Sequence, residues 1–120
     1  MTIAQAEKIC GYTINRLSHI GVKVAEFAAY DDEGKVLAKT ESAEGEKVAL
    51  KMLIEKLYDI EGDKVYAEQG GRCLDCGRTV ARAQMERHHR IPRARGRRDR
   101  GNLDGLCGAC HRKRHRENRL

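Results

Sequence analysis

The chain has 120 residues, 35% of them charged and 4% aromatic, with a net charge of +6. That length allows one small domain, or a module with an N-terminal extension, and no apolar run is long enough for a membrane span, so no membrane partner is expected. The charge is split: residues 1–70 hold 9 Lys/Arg against 13 Asp/Glu, a balance of −4, while residues 71–120 hold 15 against 5, a balance of +10. A basic half of this density is an electrostatic footprint for nucleic acid.

In chain order, Thr2-Ile3-Ala4-Gln5 reads as a capping box. Ile3, Ala6, Ile9, Cys10, Ile14 and Leu17 recur at near-helical spacing and predict a helix over 3–19, weakened by Gly11 and ended by Gly21. His19, near that end, reads as structural or exposed. Val22 to Tyr30 predicts a strand, 31–34 a turn, and Lys35 to Thr40 the returning strand. Ser42 is placed to cap a helix over 43–60, with Leu50, Leu53, Ile54, Leu57 and Ile60 on its apolar face, Met52 as a further core residue, and Gly62 as its end. Residues 1–62 are thus expected to form an α-β-β-α region whose helices cover the hairpin. No catalytic constellation falls in it. Its acidic residues Asp31, Asp32, Glu33, Glu41, Glu44 and Glu46 read as a solvated face. The region is expected to stabilise the second half of the chain or to contact another protein, with a homodimer as one option. Asp63 is expected to cap a short helix through Glu68, and Gly70-Gly71 to turn the chain onward.

Beyond position 70 the chain has no aromatic residue, and its large aliphatic side chains are Leu74, Val80, Met85, Ile91, Leu103, Leu106 and Leu120. So few cannot offset an ordering cost of roughly 1–2 kcal/mol per residue. A cross-link is required, and Cys73-x-x-Cys76 and Cys107-x-x-Cys110 can supply it. Two such knuckles complete one tetrahedral zinc site. Disulfides are the alternative; the odd cysteine and the lack of a secretory leader favour metal and a cytoplasmic setting. Cys10, the odd one, reads as a small buried residue.

Four of the five histidines share this half. His111 and His115 are four apart, so on a helix over Gly108 to Glu117 they can share an ion. His88 and His89 end a strand-like run, Met85 to Ile91. Three histidines plus water make an open metal site of the catalytic kind, and a fourth beside it can act as a base. Adjacent strand residues point to opposite faces, so His88 and His89 can serve one phosphate only if the backbone bends there.

His88-His89-x-x-Pro92, Asn102-Leu103, Leu106-Cys107-x-x-Cys110-His111 and the flanking Cys73-x-x-Cys76-Gly77 resemble the HNH endonuclease family, the ββα-metal nucleases, over roughly residues 64–117. The resemblance does not cover residues 1–62; it implies a zinc-stapled ββα-metal module over 63–120, and with the small α-β-β-α N-terminal part read above the expected class is α+β. The resemblance implies His89 as the general base, Asn102 as the residue that orients it, and His88, His111 and His115 as ligands of a catalytic divalent ion. Cys73, Cys76, Cys107 and Cys110 take the structural zinc. Many members have Gly-Gly a few residues past the proline, where this chain has Gly96-Arg97.

Arg93, Arg95, Arg97, Arg98 and Arg100 form a basic loop suited to clamping phosphates, and Arg112, Lys113, Arg114 and Arg116 surround the metal helix. With no aromatic residue near the site to stack unpaired bases, the expected partner is duplex DNA, read with weak sequence preference; RNA remains open. The leading reading is a metal-dependent DNA endonuclease, and the alternative a non-catalytic zinc-ribbon DNA-binding or adaptor protein. Three imidazole ligands favour Mn²⁺, Ni²⁺ or Co²⁺ at least as much as Mg²⁺, with Zn²⁺ able to occupy either site.

Overall fold

The computed structural model describes residues 1–19, 21–92 and 98–117. The expectations on Arg93, Arg95 and Arg97 therefore lie outside the described residues.

The first helix, α1, spans Ile3–Cys10. Its capping box forms: the Gln5 amide donates to the Thr2 hydroxyl, and the Thr2 amide donates to the Gln5 side chain at 2.8 Å. It stops nine residues earlier than its apolar spacing predicts. Gly11 adopts φ +84°, a left-handed conformation that closes the helix at no Cβ cost. The chain then forms strand β1, Thr13–Arg16, which the sequence reading missed. Ile14 reaches the core from a strand. Four alternating residues are too short a signal to displace the helical period they also fit.

Strands β2, Ala25–Tyr30, and β3, Val36–Ser42, complete an antiparallel sheet of order β1-β2-β3, with a bulge between Ala29 and Tyr30. Asp31 shapes the β2–β3 turn by accepting from the Glu33 and Lys35 amides at 2.9 Å. Helix α1 and a long helix α2 pack with this sheet around a core of Ala6, Ile14, Phe27, Leu50, Leu53 and Leu57. Cys10 is buried in the same core as expected, whereas Met52, read as core, is exposed.

Helix α2 runs from Glu46 to Glu68 without a break, so Gly62 does not end it and Asp63 starts no separate helix. Ser42 caps nothing; its hydroxyl accepts from the Glu44 amide, and Gly45 holds the N-cap position. Gly62 has a packing role. A Cβ there would come within 2.7 Å of Arg87 Cδ, so the glycine lets a side chain from the second half cross the helix.

That second half has its own small core of Cys73, Val80, Met85, Leu106 and Cys107, with Tyr66 and Cys110 against it. Tyr66 comes from α2, and its hydroxyl donates to the Val80 carbonyl at 2.9 Å. Strand β4, Glu86–His89, shorter than the expected run Met85 to Ile91, pairs antiparallel with β5, Leu103–Leu106, and helix α3 follows over Gly108–Glu117, the span the spacing predicted. The mixed helix-and-sheet class is as expected. The N-terminal part is α-β-β-β-α, one strand richer. Among the described residues no helix is long and apolar enough to cross a membrane.

Phe27 is the largest side chain fully enclosed by the first core. Phe27→Ala is expected to cost about 3–5 kcal/mol, read as a lower urea midpoint at unchanged slope.

Candidate active site

The first knuckle is a tight turn. The Gly77 amide donates to the Cys73 carbonyl at 3.0 Å, and the Cys73 amide to the Arg78 carbonyl at 2.8 Å. The second knuckle is the start of α3: the Cys110 amide donates to Cys107 Sγ at 3.4 Å, and the His111 amide to the Cys107 carbonyl. No cysteine is bridged, and the sulfurs of Cys73, Cys76, Cys107 and Cys110 lie within 4.8 Å of one another. Cys76 and Cys107 are 3.9 Å apart, against about 3.8 Å for the edge of a tetrahedron with zinc–sulfur bonds of ~2.3 Å. Burial pushes the Cys73 thiol up, but the backbone N–H groups of Cys107, Cys76 and Asp75 outweigh it and hold it down to about 6. Cys110 is pushed up to about 12, first by the Cys107 sulfur and then by burial and the other two sulfurs. Four thiolates this close need a cation between them. The donor set, the spacing and the absence of bridges fit zinc.

Strand β4 carries the remaining chemistry by alternation. Glu86 and His88 face α3; Arg87 and His89 face α2. On the α3 side, the His88 ring lies 5.4 Å from that of His111 and 5.8 Å from that of His115, edge-on to both. The Nε2 atoms of His111 and His115 are 3.1 Å apart. One nitrogen from each of the three rings falls within 4.8 Å of the others. Burial, then the Arg114 charge and the two neighbouring imidazoles, lower the pKa of His88, favouring the neutral ligand form. His111 Nδ1 lies 2.9 Å from the Glu86 carboxylate, which leaves Nε2 facing the cluster. Three neutral imidazoles, one backed by a carboxylate, suit a divalent transition ion.

Two acids hold α3 in place, Asp104 from β5 and Asp75 from the first knuckle. Arg114 donates to Asp104 at 2.8 Å and through Nε to Asp75 at 2.7 Å. Asp104 sits on β5 opposite His88 and also accepts from Arg90 Nε at 2.6 Å.

On the α2 side, His89 Nε2 lies 2.8 Å from Asp99 Oδ1, with 13% of the His89 side chain exposed and 1% of that of Asp99. The imidazole stacks on Tyr58 of α2, ring centroids 5.8 Å apart and planes within 5°. Arg87 covers the same tyrosine at 4.0 Å and donates to Asp59 and to the Tyr58 carbonyl. Strand β4 stays paired through His89, so His88 and His89 keep opposite faces and the bend that could unite them does not occur within the strand. Asn102 is buried and grips Ile91: its Oδ1 accepts from the Ile91 amide at 2.9 Å and its Nδ2 donates to the Ile91 carbonyl at 3.2 Å. It thereby fixes the chain just after His89 rather than touching the ring. A tyrosine beside the site also corrects the expectation that no aromatic residue is near; α2 folds back to place it there.

The basic residues divide. Arg98, Arg112, Lys113 and Arg116 are exposed. Arg100 turns inward, bidentate to Asp32, over the Tyr12 ring at 4.5 Å and onto the Gly11 carbonyl. The Arg100 guanidinium holds the Asp32 carboxyl below its ordinary range. Asp32 and Glu46, read as a solvated face, therefore have partners, Arg100 and Arg16.

Four residues beside the site escaped the sequence reading: Glu86, Asp99, Tyr58 and Glu61. Glu86 had a signal, being two before His88 on one strand face. Asp99 was the lone acid in a run of arginines. Tyr58 and Glu61 had none, because a long helix from the other half brings them in.

Chelation is expected to remove the Cys-bound ion and unfold the β4–β5–α3 unit, read as lost hydrogen-exchange protection of the β4–β5 amides; Cys107→Ser should do the same. Glu86→Ala should weaken divalent-ion binding at the histidines by about 10–100-fold, measured by calorimetry on zinc-loaded protein.

No curated protein and no solved structure matches the chain. The family model described as HNH endonuclease matches residues 73–117, which hold both knuckles, all of β4, β5 and α3, and the three clustered histidines. Over that stretch, somewhat over a third of the chain, the protein is similar to the HNH endonuclease family.

Proposed function

We propose that the protein is a metal-dependent endonuclease that hydrolyses phosphodiester bonds in DNA. The observation that carries this reading is the convergence of His88, His111 and His115 inside the matched domain. A structural cross-link alone would need only the four cysteines.

In this reading His88, His111 and His115 hold a divalent ion, and the chemistry such an ion supplies is neutralisation of charge on the phosphate and on the departing oxygen. His89 takes a proton from the attacking water as its oxygen bonds to phosphorus; the phosphorus–oxygen bond on the far side breaks, and solvent protonates the released oxygen. His88 and His89 lie on opposite faces of β4, so this reading requires the chain to bend at the end of the strand when DNA binds if both are to act on one phosphate. Asn102 keeps the chain at Ile91 from displacing that end. Cys73, Cys76, Cys107 and Cys110 hold the structural zinc that fixes the start of α3, and so the register of His111 and His115.

Arg98, Arg112, Lys113 and Arg116 contact backbone phosphates, and the sequence assigns Arg93, Arg95 and Arg97 the same role. Such contacts set affinity and carry no sequence information. Arg100 and Arg114 act instead as internal struts. Residues 63–120 bear the chemistry and 1–62 support it, although α2 spans that border.

Plasmid cleavage tests the reading. The wild type should nick or cut with Mn²⁺, Ni²⁺ or Co²⁺ at least as fast as with Mg²⁺. His89→Ala should keep zinc and DNA binding while losing about 10²–10⁴-fold in cleavage rate. If the wild type binds DNA and never cleaves, the non-catalytic zinc-ribbon reading replaces this one. Arg112→Ala should lower the slope of log affinity against log salt by about 1, whereas Arg114→Ala should chiefly destabilise.

A further inference from the structure

We infer that Asp99 is the positioning residue for His89: it fixes the ring's tautomer and orientation, and the N-terminal region holds Asp99 in place for that task. The inference rests on the reading of His89 as the base.

The chemistry turns on one contact. A carboxylate has lone pairs and no hydrogen to give. With Asp99 Oδ1 2.8 Å from His89 Nε2, the ring proton of the neutral imidazole belongs on Nε2, and the lone pair that can take a proton is on Nδ1. When water attacks, its proton goes to Nδ1 while Nε2–H stays on Asp99; the proton count balances without Asp99 changing state. The parallel Tyr58 ring blocks rotation out of that plane.

Asp99 is itself immobilised. Its amide donates to the Ile9 carbonyl at 2.8 Å, and the Arg100 amide donates to the Cys10 carbonyl at 3.2 Å. Two successive carbonyls at the C-terminal end of α1 therefore accept from two successive amides of the loop. Gly11 is required at this seam, since a Cβ there would stand 2.8 Å from Arg100 Cβ. From α2, buried Glu61 accepts from the Gly101 amide at 2.9 Å through Oε1 and from the Tyr12 hydroxyl at 3.1 Å through Oε2. Burial, then the Glu61 carboxyl, push the Tyr12 hydroxyl up to about 12, so it remains a donor. Arg100, stacked on Tyr12 and paired with Asp32, closes the seam. Residues from α1, the β2–β3 turn and α2, all outside the part that the family model matches, thus converge on Asp99–Gly101 within it. That convergence gives residues 1–62 a definite task.

The test is Asp99→Asn, which keeps size and hydrogen-bonding capacity. An amide can present N–H to Nε2 and so stabilise the other tautomer, with the proton on Nδ1; the same swap in a serine-hydrolase triad costs about 10⁴-fold in kcat. With zinc content and circular dichroism equal to wild type, D99N is expected to lose about 10²-fold or more in kcat, while KM for plasmid changes by less than about 2-fold. Long-range ¹H–¹⁵N spectra of the histidine rings give a second readout on the wild type itself: His89 should carry its proton on Nε2, with a low-field resonance that D99N abolishes. Wild-type kcat in D99N, or an Nδ1–H tautomer in the wild type, overturns the inference. If D99N does not fold, the wild-type tautomer decides. A wild type that never cleaves overturns the endonuclease reading, and Asp99 loses its catalytic meaning with it; a cleaving wild type with an unimpaired D99N overturns the role of Asp99 alone.

Discussion

Strand β4 is four residues long and serves two helices at once. Alternation sends Glu86 and His88 to α3 and Arg87 and His89 to α2. The rest of the molecule depends on this constraint. A one-residue slip in the β4–β5 register would exchange the two faces and put His89 on the side of His111 and His115. Two features hold the register. Gly105, opposite Arg87 on β5, leaves room for the Met85 side chain that a Cβ would overlap. Gln69, just past the end of α2, takes both polar groups of Gly105, donating to its carbonyl and accepting from its amide. The strand ladder, the small core and α2 all agree on one alignment.

The cysteine cluster and the histidine cluster share α3, and their order along it matters. Cys107 and Cys110 flank its first turn, His111 comes immediately after, and His115 one turn later. An ion on the cysteines therefore anchors the end of the helix nearest the ligands. The helix buries no residue of its own, so apolar packing contributes little to its position. The Arg114 pairs with Asp75 and Asp104 hold it, and an ion on the four cysteines would add to them. A basic helix without an apolar face would otherwise have little reason to dock.

The acidic and basic halves meet through specific pairs: Arg100 with Asp32, Arg82 with Asp63, and Arg87 with Asp59. Each is partly exposed on at least one side, and such pairs contribute about 0–1 kcal/mol. Their value is geometric. They fix where the second half lies against α2 and leave Arg98, Arg112, Lys113 and Arg116 outward. Acids from both halves hold some arginines as struts and leave others facing outward.

The sequence by itself determined the elements whose chemistry is local. The two Cys-x-x-Cys knuckles, the helical spacing of His111 and His115, the capping box at Thr2 and the span of α3 depend on neighbours within a few positions, so spacing and side-chain type suffice to read them. The order of these motifs was also enough to point to the family. What depended on distant partners was hidden. Thr13–Arg16 became a strand only because Ala25–Tyr30 was there to pair with it. Gly62 stayed inside a helix because Arg87 needed the space. His89 gained Asp99 and Tyr58, and Asn102 took Ile91 instead, because α2 and the end of α1 fold against the second half. Tertiary structure decided which side chains surround His89, since packing between segments far apart in sequence leaves no periodic trace in either one.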